Sequence, residues 1–241
     1  MSSFSHRPLV LACLAVLALA VCQRANPPES APAAATPAQG APATSYAAAH
    51  AGDYAVVPLK ADLSRFDEDT RRMIALLVEA SEVTNDLYWK QSWEGDRAAL
   101  LARAPDAATR ELAEINFGPW DRLNEDTPFI DGVGARPPGG PFYPADMTKP
   151  EFEAAQLPDK TSNYTLLRRE NGKLVTVPYH VAYKPELERI AALLREAAKL
   201  SADKTFARYL DMRADALLND DFRPSDMAWM DMKTNPVDIV I

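Results

Sequence analysis

Tyr164-Thr165-Leu166-Leu167-Arg168-Arg169-Glu170-Asn171-Gly172-Lys173-Leu174-Val175-Thr176-Val177-Pro178-Tyr179 is the stretch on which the fold class turns. Two short runs, Tyr164 to Arg169 and Lys173 to Tyr179, flank Glu170-Asn171-Gly172. An Asn-Gly pair in that setting is the strongest local hairpin signal, because its tight turn needs positive φ at both central positions. Outward from this hairpin the pattern becomes helical. Pro185 opens a helix to about Ser201, with Leu187, Ile190, Leu194 and Ala197 on one face. Asp203 caps another to about Leu218, carrying Phe206, Tyr209, Leu210, Arg213 and Leu217. Ser225-Asp226 caps a short helical piece, and a closing strand is expected near Val237.

Toward the N-terminus, Thr148-Lys149-Pro150-Glu151 is a capping box for a short helix through about Ala155. A helix starting near Pro105 must stop at Asn116-Phe117-Gly118-Pro119. Another covers about 95 to 103. Ser64-Arg65-Phe66-Asp67 offers a hydroxyl cap for a long helix from about 65 to 91, with Trp89 and Trp93 near its end. Tyr54 to Leu59 reads as a short strand. Between the helices and the hairpin lies a proline- and glycine-rich segment, 117 to 147, that also holds Trp120, Phe129, Phe142 and Tyr143. Solvated linkers are not this aromatic, so it reads as a wrap over the domain. No repeat of 20–50 residues is present, which argues against a solenoid. The expectation is a helix-rich α+β domain.

The 241 residues carry 26 basic and 34 acidic side chains, a formal charge of −8. An acidic balance argues against a nucleic-acid surface. A hydrophobic fraction of 47% is an ordinary globular value. His6-Arg7 and the apolar run Leu9 to Val21 resemble a signal peptide over 1–21. The sequence Leu19-Ala20-Val21-Cys22 resembles a bacterial lipobox, which makes Cys22 a candidate lipid anchor. The alternative is ordinary secretory cleavage after Ala20. Residues 22–52, rich in Ala and Pro, read as a spacer, and 53–241 as the folded part. An exported, periplasmic, membrane-anchored lipoprotein is expected. The other cysteine, Cys13, falls in the signal, so disulfide and thiol chemistry are excluded from the folded part.

The search for chemistry is mostly negative. The three histidines, His6, His50 and His180, form no His-Glu-x-x-His pattern. Gly132-Val133-Gly134 lacks the third glycine of a dinucleotide fingerprint. Arg195-Glu196-Ala197-Ala198 superficially resembles the core of a Nudix box, but the acidic pair that should come after it is missing. His180, beside Tyr179 and Tyr183, could act as a general base or sit hydrogen-bonded at a strand end. Asp220-Asp221 and Asp126 with Asp131 are carboxylate pairs of the kind acid–base work needs, although 34 acids produce such pairs by chance. Asn116, Trp120, Asp121 and Arg122 either orient a polar ligand or pin the loop through a bidentate ion pair.

Three runs of the wrap carry a further message: Asn116-Phe117-Gly118-Pro119-Trp120-Asp121-Arg122, Pro128-Phe129-Ile130-Asp131-Gly132-Val133-Gly134, and Phe142-Tyr143-Pro144-Ala145-Asp146-Met147-Thr148-Lys149. With Tyr179-His180, Arg213 to Leu218 and Ser225 to Lys233, they resemble the N-terminal, non-zinc portion of bacterial dipeptidyl-peptidase III family zinc metallopeptidases, from about Tyr54 to Ile241. The resemblance implies a two-lobed exopeptidase that removes dipeptides from oligopeptide N-termini, with zinc held by a His-Glu helix in the other lobe. It places the 116–147 segment near the substrate cleft or packed under it, with Asn116, Trp120, Asp121, Arg122, Phe142, Tyr143 and Asp146 as the cleft candidates. No zinc ligand or catalytic residue carries over to any position here. The expectation is therefore a truncated lobe, inactive alone, ending in an incomplete strand. Its implied partners are an oligopeptide, a missing zinc lobe and, through Cys22, a membrane. The alternative is a non-catalytic envelope lipoprotein that uses the lobe for peptide binding or as a scaffold.

Overall fold

A computed structural model describes residues 44–240. The signal, Cys22 and most of the spacer lie outside the described residues. The chain opens with helix α1 (Tyr46–His50), capped by the Ser45 hydroxyl, and a 3₁₀ turn over Ala51–Asp53. The helix and most of the turn fall inside the stretch read as spacer. Alanine is the best helix former, and the proline run ends at Pro42. The stretch expected as a first strand, Tyr54 to Leu59, is irregular chain instead. Ala55 to Asp62 makes no backbone-to-backbone hydrogen bond, and Val56 and Leu59 are 91% and 93% exposed.

Helix α2 (Glu68–Ser92) is capped by Asp67, whose carboxylate accepts from Thr70 N at 2.7 Å. The carboxylate displaces the hydroxyl of Ser64 from that role. Helices α3 (Arg97–Ala102) and α4 (Ala107–Asn116) come next, capped by Asp96 and Asp106. α4 stops where Phe117 turns left-handed, φ 53. Its ring then packs edge-on to Tyr88, with centroids 4.7 Å apart. The wrap contains a two-residue antiparallel pair missed in the sequence, β1 (Trp120–Asp121) on β2 (Thr127–Pro128). Thr148 caps α5 (Lys149–Ala154) as the sequence predicts.

The hairpin is β3 (Thr165–Glu170) on β4 (Lys173–Pro178), in the register Glu170 opposite Lys173. Asn171 and Gly172 both have positive φ, 50 and 77. A one-turn helix α6 (Tyr179–Ala182) leads into α7 (Lys184–Leu200), and α8 (Lys204–Asn219) and α9 (Arg223–Asp231) complete the order. α9 starts two residues before the predicted cap. Ser225 is buried, and its hydroxyl donates to Phe222 O rather than accepting from the helix.

One apolar core gathers α2, α7, α8 and the hairpin. Leu77 and Ala80 of α2, Ile190 and Leu194 of α7, Phe206 and Leu210 of α8 and Leu166 of β3 meet there. Val237 and Ile239 pack against the same core as irregular chain. The incomplete closing strand is therefore corrected: a strand exists only through pairing, and these residues pair with none of the four described strands. A second, smaller cluster holds Trp89, Leu100, Ala113 and Ile130 beneath the wrap.

Candidate functional site

The wrap turns on one carboxylate. Asp121 is fully buried. It accepts from Tyr54 Oη (2.8 Å), Tyr46 Oη (3.1 Å), Asn124 Nδ2 (2.8 Å) and Leu123 N (3.0 Å). Burial alone would raise its pKa, but these donors outweigh burial and hold the carboxyl below the usual range. Asn116, buried at the end of α4, accepts from Tyr54 Oη (3.1 Å) and Arg122 N (3.0 Å) and donates to Leu112 O. Arg122 does not pair with Asp121. Its guanidinium reaches Tyr88 Oη and Ser92 Oγ and lies over the Tyr88 ring, 5.2 Å from the centroid. The expected bidentate pin is thus a fan of neutral donors on one carboxylate. Such a fan satisfies a buried charge without a second charge to desolvate.

Beside this network lies an open cleft of about 500 Å³. Trp93 and Trp120 form one wall, packed edge to face with centroids 5.3 Å apart. Trp120 Nε1 donates to Gly134 O at 2.9 Å, which fixes the ring against the wrap. Tyr143 and Pro141 supply more apolar surface, and Arg103 stands at the side with its guanidinium on Asp131 O. Gly139 is required here: a Cβ would meet the Tyr143 ring at 2.6 Å, and its φ is 77. Aromatic walls with sparse polar groups are the usual composition of a ligand cleft.

Of the seven cleft candidates named from the sequence, Trp120 and Tyr143 line this cleft. Asn116, Asp121 and Arg122 stand behind it as its scaffold. Phe142 packs against the main core. Asp146 turns away onto Arg169, which it meets at 2.8–2.9 Å, while Glu151 takes the other edge of the same guanidinium at 2.8–2.9 Å. Hydrogen bonds to Arg169 hold both carboxyls below their usual values. Trp93 was readable only as a helix-end aromatic, and Tyr46 was hidden in the spacer.

His180 is held outside this cleft. Its Nδ1 lies 2.7 Å from Asp220 Oδ2, and its backbone N–H donates to the same carboxylate. Asp220 is the left-handed residue that ends α8. The pair lines a polar recess of about 260 Å³, away from the aromatic cleft. Asp126 pairs with Arg136 at 3.1 Å. Among the described residues no group of three or more His, Cys, Asp or Glu side chains could hold a metal ion, and no helix is long and apolar enough to cross a membrane.

No protein-family model matches the chain. Among solved structures it is similar to dipeptidyl-peptidase III from Caldithrix abyssi, with TM-score 0.71 and 36% identity over 76% of this chain and 37% of that one. It is equally similar to dipeptidyl-peptidase III from Corallococcus sp. strain EGB, with TM-score 0.72 and 36% identity over 78% and 37%. Among curated proteins it is similar to Nudix hydrolase 3 of Arabidopsis thaliana, 24% identical over 250 aligned residues, 78% of this chain and 32% of that protein. The chain spans about a third of the length of these proteins, 32–37%. The resemblance to dipeptidyl-peptidase III drawn from the wrap motifs holds in three dimensions, as a helix-rich α+β portion. The Arg195-Glu196 stretch weighed as a Nudix core is the middle of α7, with Arg195 paired to Asp215.

Proposed function

We propose, from this likeness, that residues 53–241 are the non-zinc, peptide-holding portion of an exported zinc-dependent peptidase that releases dipeptides from peptide N-termini. The observation that carries the reading is the shared fold at 36% identity over about three quarters of the chain. Zinc does not fit the residues described. His50 pairs with Asp53 and His180 with Asp220, and neither pair gains a third ligand. No chemical step is therefore assigned to this chain. Its share is binding: Trp93, Trp120 and Tyr143 would take an apolar side chain of the peptide. Isothermal titration of the full chain with tetra-alanine tests this. Binding that weakens at least tenfold in Tyr143→Ala supports it. No binding, or zinc-dependent dipeptide release by this chain alone, overturns it.

A second reading is a non-catalytic lipoprotein that keeps the lobe as a peptide-binding module. The codons after Ile241 separate the two: an in-frame His-Glu-containing zinc motif supports the peptidase, a stop codon the module. In both readings Cys22 is the lipid anchor. Fatty-acid labelling lost in Cys22→Ala is the expected result; labelling that persists would remove the anchor.

A further inference from the structure

We propose that Ser45–Tyr54 is a detachable clamp on the aromatic cleft: by seating Tyr46 and Tyr54 on Asp121 it sets the Trp120 wall, so that freeing it changes what the cleft binds. This rests on the peptide-holding reading only for its last clause.

Three observations carry it. Asp121 and Trp120 are neighbours in β1, so a shift of the strand backbone at Asp121 is passed to the Trp120 wall. Two of the four donors on that buried carboxylate come from the clamp, 67 and 75 residues away in sequence. With the clamp gone, Asp121 retains Asn124 and Leu123 N, too few for a buried carboxylate. It would have to turn toward water and take β1 with it.

The clamp is also weakly seated apart from these hydroxyls. Ala47 is its one buried apolar residue. A cavity of about 340 Å³ lies between it and α4, lined by Ala51 and Tyr54 on one side and by Leu112 and Ile115 on the other. Tyr46 adds a stack on Phe129 at 6.1 Å, and His50 lies 3.3 Å from Asn124 Nδ2. Polar attachment over a void is easily reversed, unlike a packed core face.

Finally, the clamp can leave without unfolding the helical core. The chain joining it to α2, Ala55–Asp62, makes no backbone-to-backbone hydrogen bond and exposes Val56, Val57 and Leu59. A segment of that kind is open to proteases, and Lys60 within it is exposed.

The test uses the full chain and two measurements. Amide exchange is followed at Arg122 and Leu123, whose N–H groups bond the Asn116 and Asp121 side chains. Leu194 and Leu210 report on the core. In Tyr46→Phe/Tyr54→Phe the first pair should exchange at least tenfold faster and the second pair unchanged. Trypsin then nicks the chain after Lys60. The N-terminal fragment should stay with the body on gel filtration in the wild type and separate in the variant. Unchanged wrap exchange, or an equal rise in wrap and core, would overturn the clamp. If the double variant does not fold, Tyr46→Phe alone is used, with at least a threefold rise expected and no rise overturning the proposal. Neither measurement needs a ligand, so a failure of peptide binding leaves the clamp standing. Tetra-alanine affinity in the double variant then reads the last clause: a change of fivefold or more is expected, and an unchanged affinity removes that clause.

Discussion

The helical core and the wrap are built on opposite principles. The core of α2, α7, α8 and the hairpin joins some twenty buried side chains, many of them fully enclosed. Losing one leaves many others in place. The wrap and the clamp meet at a single buried carboxylate, and every element there depends on its acceptor oxygens. A packed core spreads its stability over area; a hydrogen-bonded hub concentrates it in a few atoms. The core should therefore fail as a unit and the wrap alone.

The largest test of that contrast is Leu210→Ala. Leu210 is fully buried, so its truncation should cost about 2–5 kcal/mol. Circular dichroism and near-ultraviolet signals should lose structure in one coincident, earlier transition. Two separated transitions would show that the core is not one cooperative unit.

Next is pH, which should separate the two regions without mutation. Donors hold the Asp121 pKa down, so its contribution is complete above the usual carboxylate value of about 3.9. It is lost as pH falls through the lower folded value. Burial raises the Tyr46 and Tyr54 hydroxyls above their ordinary 10.0, helped by the Asp121 carboxylate. Their contribution is present below pH 10.0 and lost as pH rises through the folded values. Protection of Leu123 N–H, corrected for intrinsic exchange, should be level between these limits. A midpoint near neutrality would place the titrating group elsewhere.

The core was largely legible in the sequence because its signals are local. Asn171-Gly172 dictated the hairpin, Thr148 and Asp203 their caps, and apolar spacing the faces of α7 and α8. The dipeptidyl-peptidase III likeness was legible in the wrap motifs. The hub was not. Tyr46 and Tyr54 reach Asp121 across most of the N-terminal half, and no periodicity encodes that distance. α1 was lost to its alanine-rich setting, where composition outweighed the Ser45 cap. Ala55–Leu59 has the β-branched residues of a strand but no partner. The two-residue strands β1 and β2 are too short to show alternation.

The smallest expected effect gives the sharpest comparison, because it makes one substitution in both regions. Asp203 caps α8, accepting from Thr205 N (2.8 Å), Phe206 N (3.0 Å) and the hydroxyls of Thr205 and Thr234. Hydrogen bonds from Thr205 and Phe206 push its carboxyl down to about 2. Asp121 likewise accepts from four donors, but it is enclosed. Asparagine is as good a cap as aspartate, since one carbonyl oxygen serves the helix N–H groups and water meets the amide. At Asp203, Asp→Asn should therefore cost only a few tenths of a kcal/mol at pH 7. Even that difference should vanish as pH falls through about 2, where the wild-type carboxyl gains its own proton. At Asp121 the same change turns an acceptor into a donor that faces donors, with no water to receive it. That should cost about 1–3 kcal/mol, read as faster exchange at Leu123 with core amides unchanged. Equal costs at the two positions would mean that the wrap tolerates rearrangement as a solvated helix end does, and the hub would then be no hub.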